Sequence, residues 1–189
     1  MREGGCLMPY IMPPPEGKAN GYSVWLMPND ADGHLCAWLI RRCAQYSGLL
    51  FPPHCTLVGN IVAFQESVLL ELFYDLARTM PPIAGRLISA KTEDVFFRAV
   101  YALFKDPAPI IRERRAVRER LGSIVQPSIP PPHVSILYGT YGAVVKEKVC
   151  AMVQDALPWR FHMDTLAVMR TEGTVSEWKI VERFPLGGT

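Results

Sequence analysis

The sequence predicts an α+β fold in which sheets are flanked by helices and arranged as two related lobes. The order strand–helix–strand–helix–strand–strand occurs once, and a similar order with rearranged ends follows it. Apolar residues make up 49% of the 189-residue chain and charged residues 20%, which is typical of a globular protein. This length fits one domain, or two small lobes that share a core.

The first half of the pattern consists of two strands and two helices. The strands are predicted at 21–27 and 49–62. The helices are predicted from Asn29 or Asp30 to about 46 and at 65–79. Pro28 closes the first strand, Gly48 stops the first helix, and a pair of prolines interrupts the second strand. The first helix carries apolar residues at helical spacing, namely Leu35, Cys36, Leu39, Ile40 and Cys43.

The second half begins with two strands at 86–95 and 96–104. The latter, FFRAVYALF, is apolar on both faces and is therefore predicted to be central in a sheet. A helix at Ala108–Leu121 begins beside two prolines and ends at Gly122, and a proline-rich loop follows at 123–132. The remaining elements are a strand at 133–138, a helix at 144–157, and strands at 159–169 and 175–182.

Residues 1–20 are predicted to form a proline-rich N-terminal extension, and residues 21–189 a single bilobal domain. Pro13, Pro14 and Pro15 stand in a row in the extension, and such chain favours extended conformers that pack poorly. The start of the chain does not resemble a signal peptide. No apolar run approaches the roughly 18 to 20 residues of a membrane helix, so no membrane partner is expected.

The five cysteines occur without close CxxC pairs, which argues against a zinc ribbon or a thioredoxin motif. We expect small, reduced core residues of a cytoplasmic protein, with a disulfide pair as the alternative. The net charge of +2 gives no reason to expect tight binding to nucleic acid. The cysteines are Cys6, Cys36, Cys43, Cys55 and Cys150.

Two short segments share one pattern: proline, histidine, any residue, a hydroxyl, then two apolar residues. The first is PHCTLV, with His54 and Thr56, and the second is PHVSIL, with His133 and Ser135. Since side chains at i and i+2 lie on the same face of a strand, each histidine points the same way as its hydroxyl. Two such strands, one in each lobe, would present two imidazoles and two hydroxyls to one cleft.

Paired imidazoles suit general acid–base chemistry at phosphorus. The unperturbed histidine pKa of about 6.5 lets one ring stay neutral while the other carries a proton near pH 7. One ring takes the proton of an attacking water, the other protonates the departing ribose oxygen, and the hydroxyls donate to the non-bridging phosphate oxygens. No Asp/His cluster with metal-ligand spacing accompanies them, so no metal and no cofactor is expected. The alternative is two core histidines bonded locally to their hydroxyls.

These paired motifs resemble those of the two-histidine (2H) phosphoesterase superfamily, and in particular the cyclic phosphodiesterases of plants and yeasts. The resemblance includes GYSVWLMP at the start of the domain, FFRAVYALF, and SEWKIV near its end, and it covers about residues 20–184. It implies a bilobal α+β fold of two pseudo-symmetric lobes, with antiparallel sheets flanked by helices and the active site in a central cleft.

The resemblance also implies roles for the motif residues. His54 would be the general acid and His133 the base that activates water, although the residues alone leave that direction open. Thr56 and Ser135 would bind the phosphate. Tyr138 matches an aromatic position that contacts substrate in the family, with packing at a strand end as the alternative.

The activity implied is metal-independent hydrolysis of ADP-ribose 1″,2″-cyclic phosphate to ADP-ribose 1″-phosphate, which clears a by-product of tRNA splicing. Nucleoside 2′,3′-cyclic phosphates would be opened to 2′-phosphates. RNA-end processing, a 2′,5′-phosphodiesterase and a non-catalytic nucleotide-binding module are the alternatives. The expected partner is therefore a small nucleotide cyclic phosphate, with nucleic acid bound only as RNA ends, and the protein is expected to be a monomer.

Other residues are given structural interpretations. His34 and His162 lack a hydroxyl at +2 and are expected at the surface, and the four tryptophans are expected mostly in the core, with adenine stacking by one of them left open. A basic run is predicted to be a solvated helix face, with contact to substrate phosphates as the alternative. It comprises Arg112, Arg114, Arg115, Arg118 and Arg120.

Overall fold

The computed structural model describes residues 16–62, 64–122 and 130–188. Residues 1–15 of the predicted extension and most of the loop predicted at 123–132 lie outside the described residues. The elements in chain order are β1 (Lys18–Ala19), β2 (Tyr22–Pro28), α1 (Asp30–Ser47), β3 (Cys55–Ile61), α2 (Glu66–Thr79), β4 (Arg86–Thr92), β5 (Val100–Phe104), α3 (Ala108–Leu121), β6 (His133–Leu137), α4 (Ala143–Asp155), β7 (Trp159–Arg160), β8 (Met163–Arg170), β9 (Gly173–Thr174) and β10 (Lys179–Pro185).

Eight of the ten strands given above form two four-stranded antiparallel sheets, one in each lobe, and β1 and β9 pair with each other. The first has the order β10-β8-β2-β3 and the second the order β6-β5-β4-β7. Helix α2 packs on β8 and β10 of the first sheet, and α4 packs on β4 and β5 of the second. The predicted α+β fold is confirmed, and β5 lies inside its sheet as its apolar sequence indicates.

The two lobes repeat one chain order and exchange helices. β2–α1–β3–α2 corresponds to β5–α3–β6–α4, and in both units the strand after the first helix pairs antiparallel with the strand before it. Helix α1 packs against β6 of the other lobe, and α3 packs against β3. Because β3 and β6 are edge strands of their sheets and contact each other, both histidine motifs lie at the junction between the lobes.

Helix α1 shows why the predicted helices form where they do. The side chain of Asn29 accepts a hydrogen bond from the Asp32 backbone N–H at 2.8 Å, which caps the first turn. Gly48 ends the helix with φ of 67°, a conformation that glycine adopts without steric cost. The residues that the spacing predicted to be apolar and inward are buried, except for the partly buried Leu35.

Three of the four described cysteines agree with the predicted core role. Cys36, Cys43 and Cys55 are buried free thiols, and Cys150 is a half-buried free thiol. Cys6 lies outside the described residues.

The predicted strand at 96–104 is too long. Phe96–Arg98 form a 3₁₀ turn, and the strand begins at Val100. The backbone carbonyl of Phe96 accepts from the Gly139 N–H at 2.8 Å, and the carbonyl of Phe97 accepts from the Ser135 hydroxyl at 2.9 Å. Contacts with Ser135 in β6 and with Gly139 just after it therefore hold this segment out of the strand.

Three other predicted strands also differ from the structure. The segment at 159–169 is divided between the lobes, because β7 pairs with β4 in the second sheet whereas β8 pairs with β2 and β10 in the first. The segment at 175–182 begins with a 3₁₀ turn, Val175–Glu177, before β10. In the segment at 49–62 only Cys55–Ile61 is strand, since the prolines before it have no N–H to donate.

Strand β1 lies within the stretch assigned to the extension. It pairs antiparallel with β9, Lys18 opposite Thr174 and Ala19 opposite Gly173. In the part of the chain that is described, no helix combines the length and the apolar character needed to cross a membrane.

Candidate active site

His54 and His133 line one cavity of about 620 Å³ at the junction of the two sheets. His54 immediately precedes β3, and His133 is the first residue of β6. Thr56, Ser135 and Tyr138 line the same cavity, so all five residues singled out from the sequence lie together. The roles assigned to them stay predictions.

Both histidines are fixed by the same local hydrogen bond. Nδ1 of His54 lies 2.6 Å from the carbonyl oxygen of Pro52, and Nδ1 of His133 lies 2.7 Å from that of Pro131. A carbonyl oxygen only accepts, so Nδ1 carries the proton in the neutral ring and Nε2 is the unprotonated nitrogen that can accept one. The signal in the sequence is the pair of prolines before each histidine, of which the pattern above used only the second.

His54 is enclosed by aromatic rings. Its imidazole stacks on Trp25 with ring centroids 3.5 Å apart and an angle of 6° between the planes, and Phe51 meets it edge-on. Burial lowers the pKa of His54 to about 3, the hydrogen bond with Pro52 opposes that shift, and the nearby positive charge of protonated His133 lowers the pKa further. His54 is therefore neutral at pH 7.

His133 is half-buried and lies among charged groups. Burial lowers its pKa to about 4, and the bond to the Pro131 carbonyl opposes the shift. The positive charges of Arg98 and Arg114 lower it further, whereas the carboxylate of Glu93 raises it. Both rings are thus neutral at pH 7 in this structure, and the prediction that one of them carries a proton is wrong for the resting site because it used the pKa of a solvated histidine.

A polar cluster beside His133 was missed in the sequence. Glu93 accepts hydrogen bonds from the Tyr101 hydroxyl and from Arg98, whose Nε lies 2.7 Å from the carboxylate. Burial raises the pKa of Glu93, but these bonds outweigh it and keep the pKa below its usual range. The Tyr101 ring in turn meets the His133 ring edge-on, with centroids 5.1 Å apart. The cluster holds a carboxylate near one imidazole, and nothing in the local sequence pattern indicates it.

The two motif hydroxyls differ in their surroundings. Thr56 is half-buried at the cavity, whereas Ser135 is buried and its hydroxyl donates to the Phe97 carbonyl at 2.9 Å. A phosphate oxygen would therefore compete with a backbone carbonyl for the Ser135 proton. The phosphate-binding role predicted for this residue requires the hydroxyl to rotate.

Tyr138 is buried, and its hydroxyl faces the first histidine. The hydroxyl oxygen lies 3.5 Å from Nε2 of His54, and the ring stacks on Phe51 with centroids 3.8 Å apart. Burial raises the pKa of Tyr138 far above the neutral range, so it is a hydrogen-bond donor at physiological pH. Tyr138 packs as an aromatic residue at the end of a strand and also lines the cavity, so its position is compatible with both the packing role and the substrate contact considered from the sequence.

One wall of the cavity is aromatic. Trp178 lies 5.9 Å from Trp25 and 5.4 Å from Phe97 between ring centroids, and all three line the cavity. The expectation of core tryptophans holds for Trp25 and Trp159, whereas Trp178 is half-buried. It is wrong for Trp38, which is 46% exposed with Arg42 over its ring.

Arg114 departs from the predicted solvated face. It is 6% exposed, and its guanidinium donates to the carbonyl of Thr56 from Nε at 3.2 Å and from Nη2 at 2.7 Å. Nη1 donates to the carbonyl of Pro130 at 2.6 Å, just before the second motif. One side chain on α3 therefore joins the two motif segments. By contrast, Arg112, Arg115 and Arg120 are exposed, as predicted.

Replacing Arg114 by Met is expected to lower the free energy of unfolding by about 2 to 4 kcal/mol, because two carbonyls lose their charged donors. Arg114→Lys should recover only part of this, since one ammonium group cannot reproduce the planar fork. Urea denaturation measures both. Arg115→Met, on the exposed face of the same helix, is the control and should stay within about 0.5 kcal/mol; equal losses at both positions would contradict the bridging role.

The remaining histidines lie outside this cavity. His34 is exposed, as expected, and His162 is half-buried rather than fully exposed. Among the residues that the structure describes, no three His, Cys, Asp or Glu side chains are grouped so as to hold a metal ion.

Comparison of the fold with solved structures finds extensive similarity. TT0787 of Thermus thermophilus aligns with a TM-score of 0.58 and 15% identity over 89% of this chain and 98% of that one. LigT of E. coli, solved with 3′-AMP, aligns with a TM-score of 0.54 and 16% identity over 89% and 99%. A protein described as a phosphoesterase aligns with a TM-score of 0.52 and 13% identity over 88% and 98%.

These likenesses establish the fold, and the fold that the sequence resemblance implied is confirmed. The similarity is structural, since no protein-family model and no curated protein matches the chain by sequence.

Proposed function

We propose that this protein is a two-histidine phosphoesterase that hydrolyses cyclic phosphodiesters of small nucleotides without a metal ion. The observation that carries the proposal is the mirrored arrangement of His54 and His133. Each ring precedes or begins an edge strand at the lobe junction, has Nδ1 fixed by a proline carbonyl, and lines the same cavity. Two core histidines without a catalytic role would have no reason to share one solvent-accessible cavity with both motif hydroxyls.

The chemistry follows from the two unprotonated Nε2 atoms, of which that of His54 lies 3.5 Å from the Tyr138 hydroxyl. In the direction that the sequence resemblance implies, Nε2 of His133 takes a proton from water as its oxygen attacks phosphorus. The bond between phosphorus and one ribose oxygen breaks, and that oxygen takes a proton from Nε2 of His54. The product is a phosphomonoester with a free ribose hydroxyl, so the water supplies both the new hydroxyl on phosphorus and, through the histidines, the proton of the leaving group.

Binding of the substrate changes the protonation state of the resting site, in which both rings are neutral. A cyclic phosphodiester carries one negative charge, and placing it between the rings favours an imidazolium and raises its pKa. The hydroxyls of Thr56 and Ser135 are suited to donate to the non-bridging oxygens, whose charge grows in the transition state. The resting enzyme would therefore gain its acid proton together with the substrate.

The substrates proposed are ADP-ribose 1″,2″-cyclic phosphate, opened to ADP-ribose 1″-phosphate, and nucleoside 2′,3′-cyclic phosphates, opened to 2′-phosphates. A cavity of about 620 Å³ is within the range that encloses ligands of this size, and its aromatic wall suits a base. LigT of E. coli, which shares the fold, has been solved with 3′-AMP and with phosphate.

The proposal is tested by phosphorus NMR after incubation with these cyclic phosphates. We expect the cyclic diester signal to be replaced by one monoester, ADP-ribose 1″-phosphate or a nucleoside 2′-phosphate, with the same rate in excess EDTA. Loss of activity with the chelator would contradict the metal-independent mechanism. Tight nucleotide binding without any turnover would instead identify a non-catalytic binding module.

A further inference from the structure

A segment of the N-terminal stretch forms part of the cavity wall. Residues 16–19 all line the cavity that holds both histidines. They come from outside the two repeated units, and the sequence assigned them to a tail. We call residues 16–19 the strap.

The strap is tied to the first lobe at its C-terminal end. Lys18 and Ala19 pair with Thr174 and Gly173. At Gly21, with φ of +64°, the chain turns into β2 so closely that an added Cβ would lie 2.1 Å from the Ile61 carbonyl oxygen. Only glycine fits there, so the direction in which the strap leaves β2 is set.

The strap is tied to the second lobe at its other end. The hydroxyl of Thr140, two residues after Tyr138, donates to the Glu16 carboxylate. Gly17, with φ of +79°, lies against the Phe96 ring so closely that an added Cβ would be 3.0 Å from it. The strap therefore joins the lobes along the side of the cavity instead of leaving that side open.

A closed side matters for the size of the substrate. Proteins that bind single-stranded nucleic acid use an open groove along which successive nucleotides pass. Here an RNA strand that continued past the strap would meet the backbone of the strap, which is hydrogen-bonded or packed at both ends. The obstruction is steric, because the strap carries one carboxylate, Glu16, and one ammonium group, Lys18.

We infer that the strap is a specificity-determining segment that restricts this enzyme to cyclic phosphates of single-nucleotide size and excludes RNA ends. The inference rests on the proposed function and narrows its substrate class. It makes the strap, and not the histidine motifs, the part of the molecule that separates a small-nucleotide enzyme from one that processes RNA.

The experiment compares kcat/KM for a nucleoside 2′,3′-cyclic phosphate with kcat/KM for a short RNA ending in a 2′,3′-cyclic phosphate. The unaltered protein should prefer the nucleotide by at least about tenfold. The test variant combines Gly17→Val with Thr140→Val. The valine at position 17 displaces the Phe96 ring, and the valine at position 140 cannot donate a hydrogen bond to Glu16. We expect the ratio of kcat/KM for RNA to kcat/KM for the nucleotide to rise by about tenfold or more.

Gly48→Val is the matched control. Gly48 also has a positive φ, 67°, but an added Cβ there meets no atom within 4 Å, so it carries the same backbone strain away from the strap. Its ratio should equal that of the unaltered protein. Equal use of RNA and nucleotide by the unaltered protein, or an unchanged ratio in the double variant, would overturn the inference. Failure of the unaltered protein to hydrolyse either substrate would instead overturn the proposed function.

Discussion

Replacing His54 or His133 by Ala is expected to lower kcat for a cyclic phosphate by at least about a hundredfold, the usual contribution of a general acid or base. Both rings are required in one step, because the proton taken from water and the proton given to the leaving oxygen move as the same phosphorus centre reacts. The double variant should therefore be little worse than either single variant. Initial rates at saturating substrate measure this.

His34→Ala is the control, since His34 is exposed and lies outside the cavity. Removing the His54 ring also empties space beside Trp25, so His54→Gln, which retains a polar side chain of similar length, separates lost chemistry from lost packing. It should be as inactive as His54→Ala while unfolding closer to the unaltered protein. Turnover within about threefold of normal in any folded variant of His54 or His133 would refute the proposed roles.

The histidine motifs could be predicted because everything that defines them is local. Alternation along a strand puts each histidine on the same side as its hydroxyl, and the prolines and apolar residues around them mark the start and the burial of the strand. The order of strands and helices in the two lobes could be predicted for a similar reason. Helical spacing and helix caps such as Asn29 and Gly48 depend on only a few neighbouring residues.

The rest of the site depends on contacts between residues far apart in the chain. Arg114 donates to Thr56 across 58 positions, and its sequence neighbours are ordinary surface arginines. The Phe96–Arg98 turn was predicted to be strand because Phe96 and Phe97 are apolar, but their backbone carbonyls accept hydrogen bonds from Gly139 and Ser135. The histidine pKa values were mistaken for the same reason: the burial that lowers them comes from distant residues, such as Trp25 beside His54.

The dependence of kcat/KM on pH is expected to differ from that of an enzyme with two ordinary histidines. The reaction needs one protonated and one neutral ring, and kcat/KM reports the ionisation of the free enzyme. With the pKa of His54 lowered to about 3 and that of His133 to about 4, the singly protonated form is most abundant between these values. Above about pH 5 its fraction, and with it kcat/KM, should fall about tenfold for each pH unit.

At saturating substrate the rate reports kcat, and its fall with rising pH should begin at a higher pH than the fall of kcat/KM. The reason is that the bound phosphate anion stabilises the imidazolium and raises its pKa. The difference in pH between the descending parts of the two profiles measures that stabilisation, at about 1.4 kcal/mol for each pH unit. Rates between pH 5 and 8, with a substrate whose base does not titrate there and with circular dichroism to show that the protein stays folded, give both profiles. A maximum of kcat/KM near pH 6.5 would show that burial does not perturb the histidines, and superimposable limbs would show that neither ring contacts the phosphate.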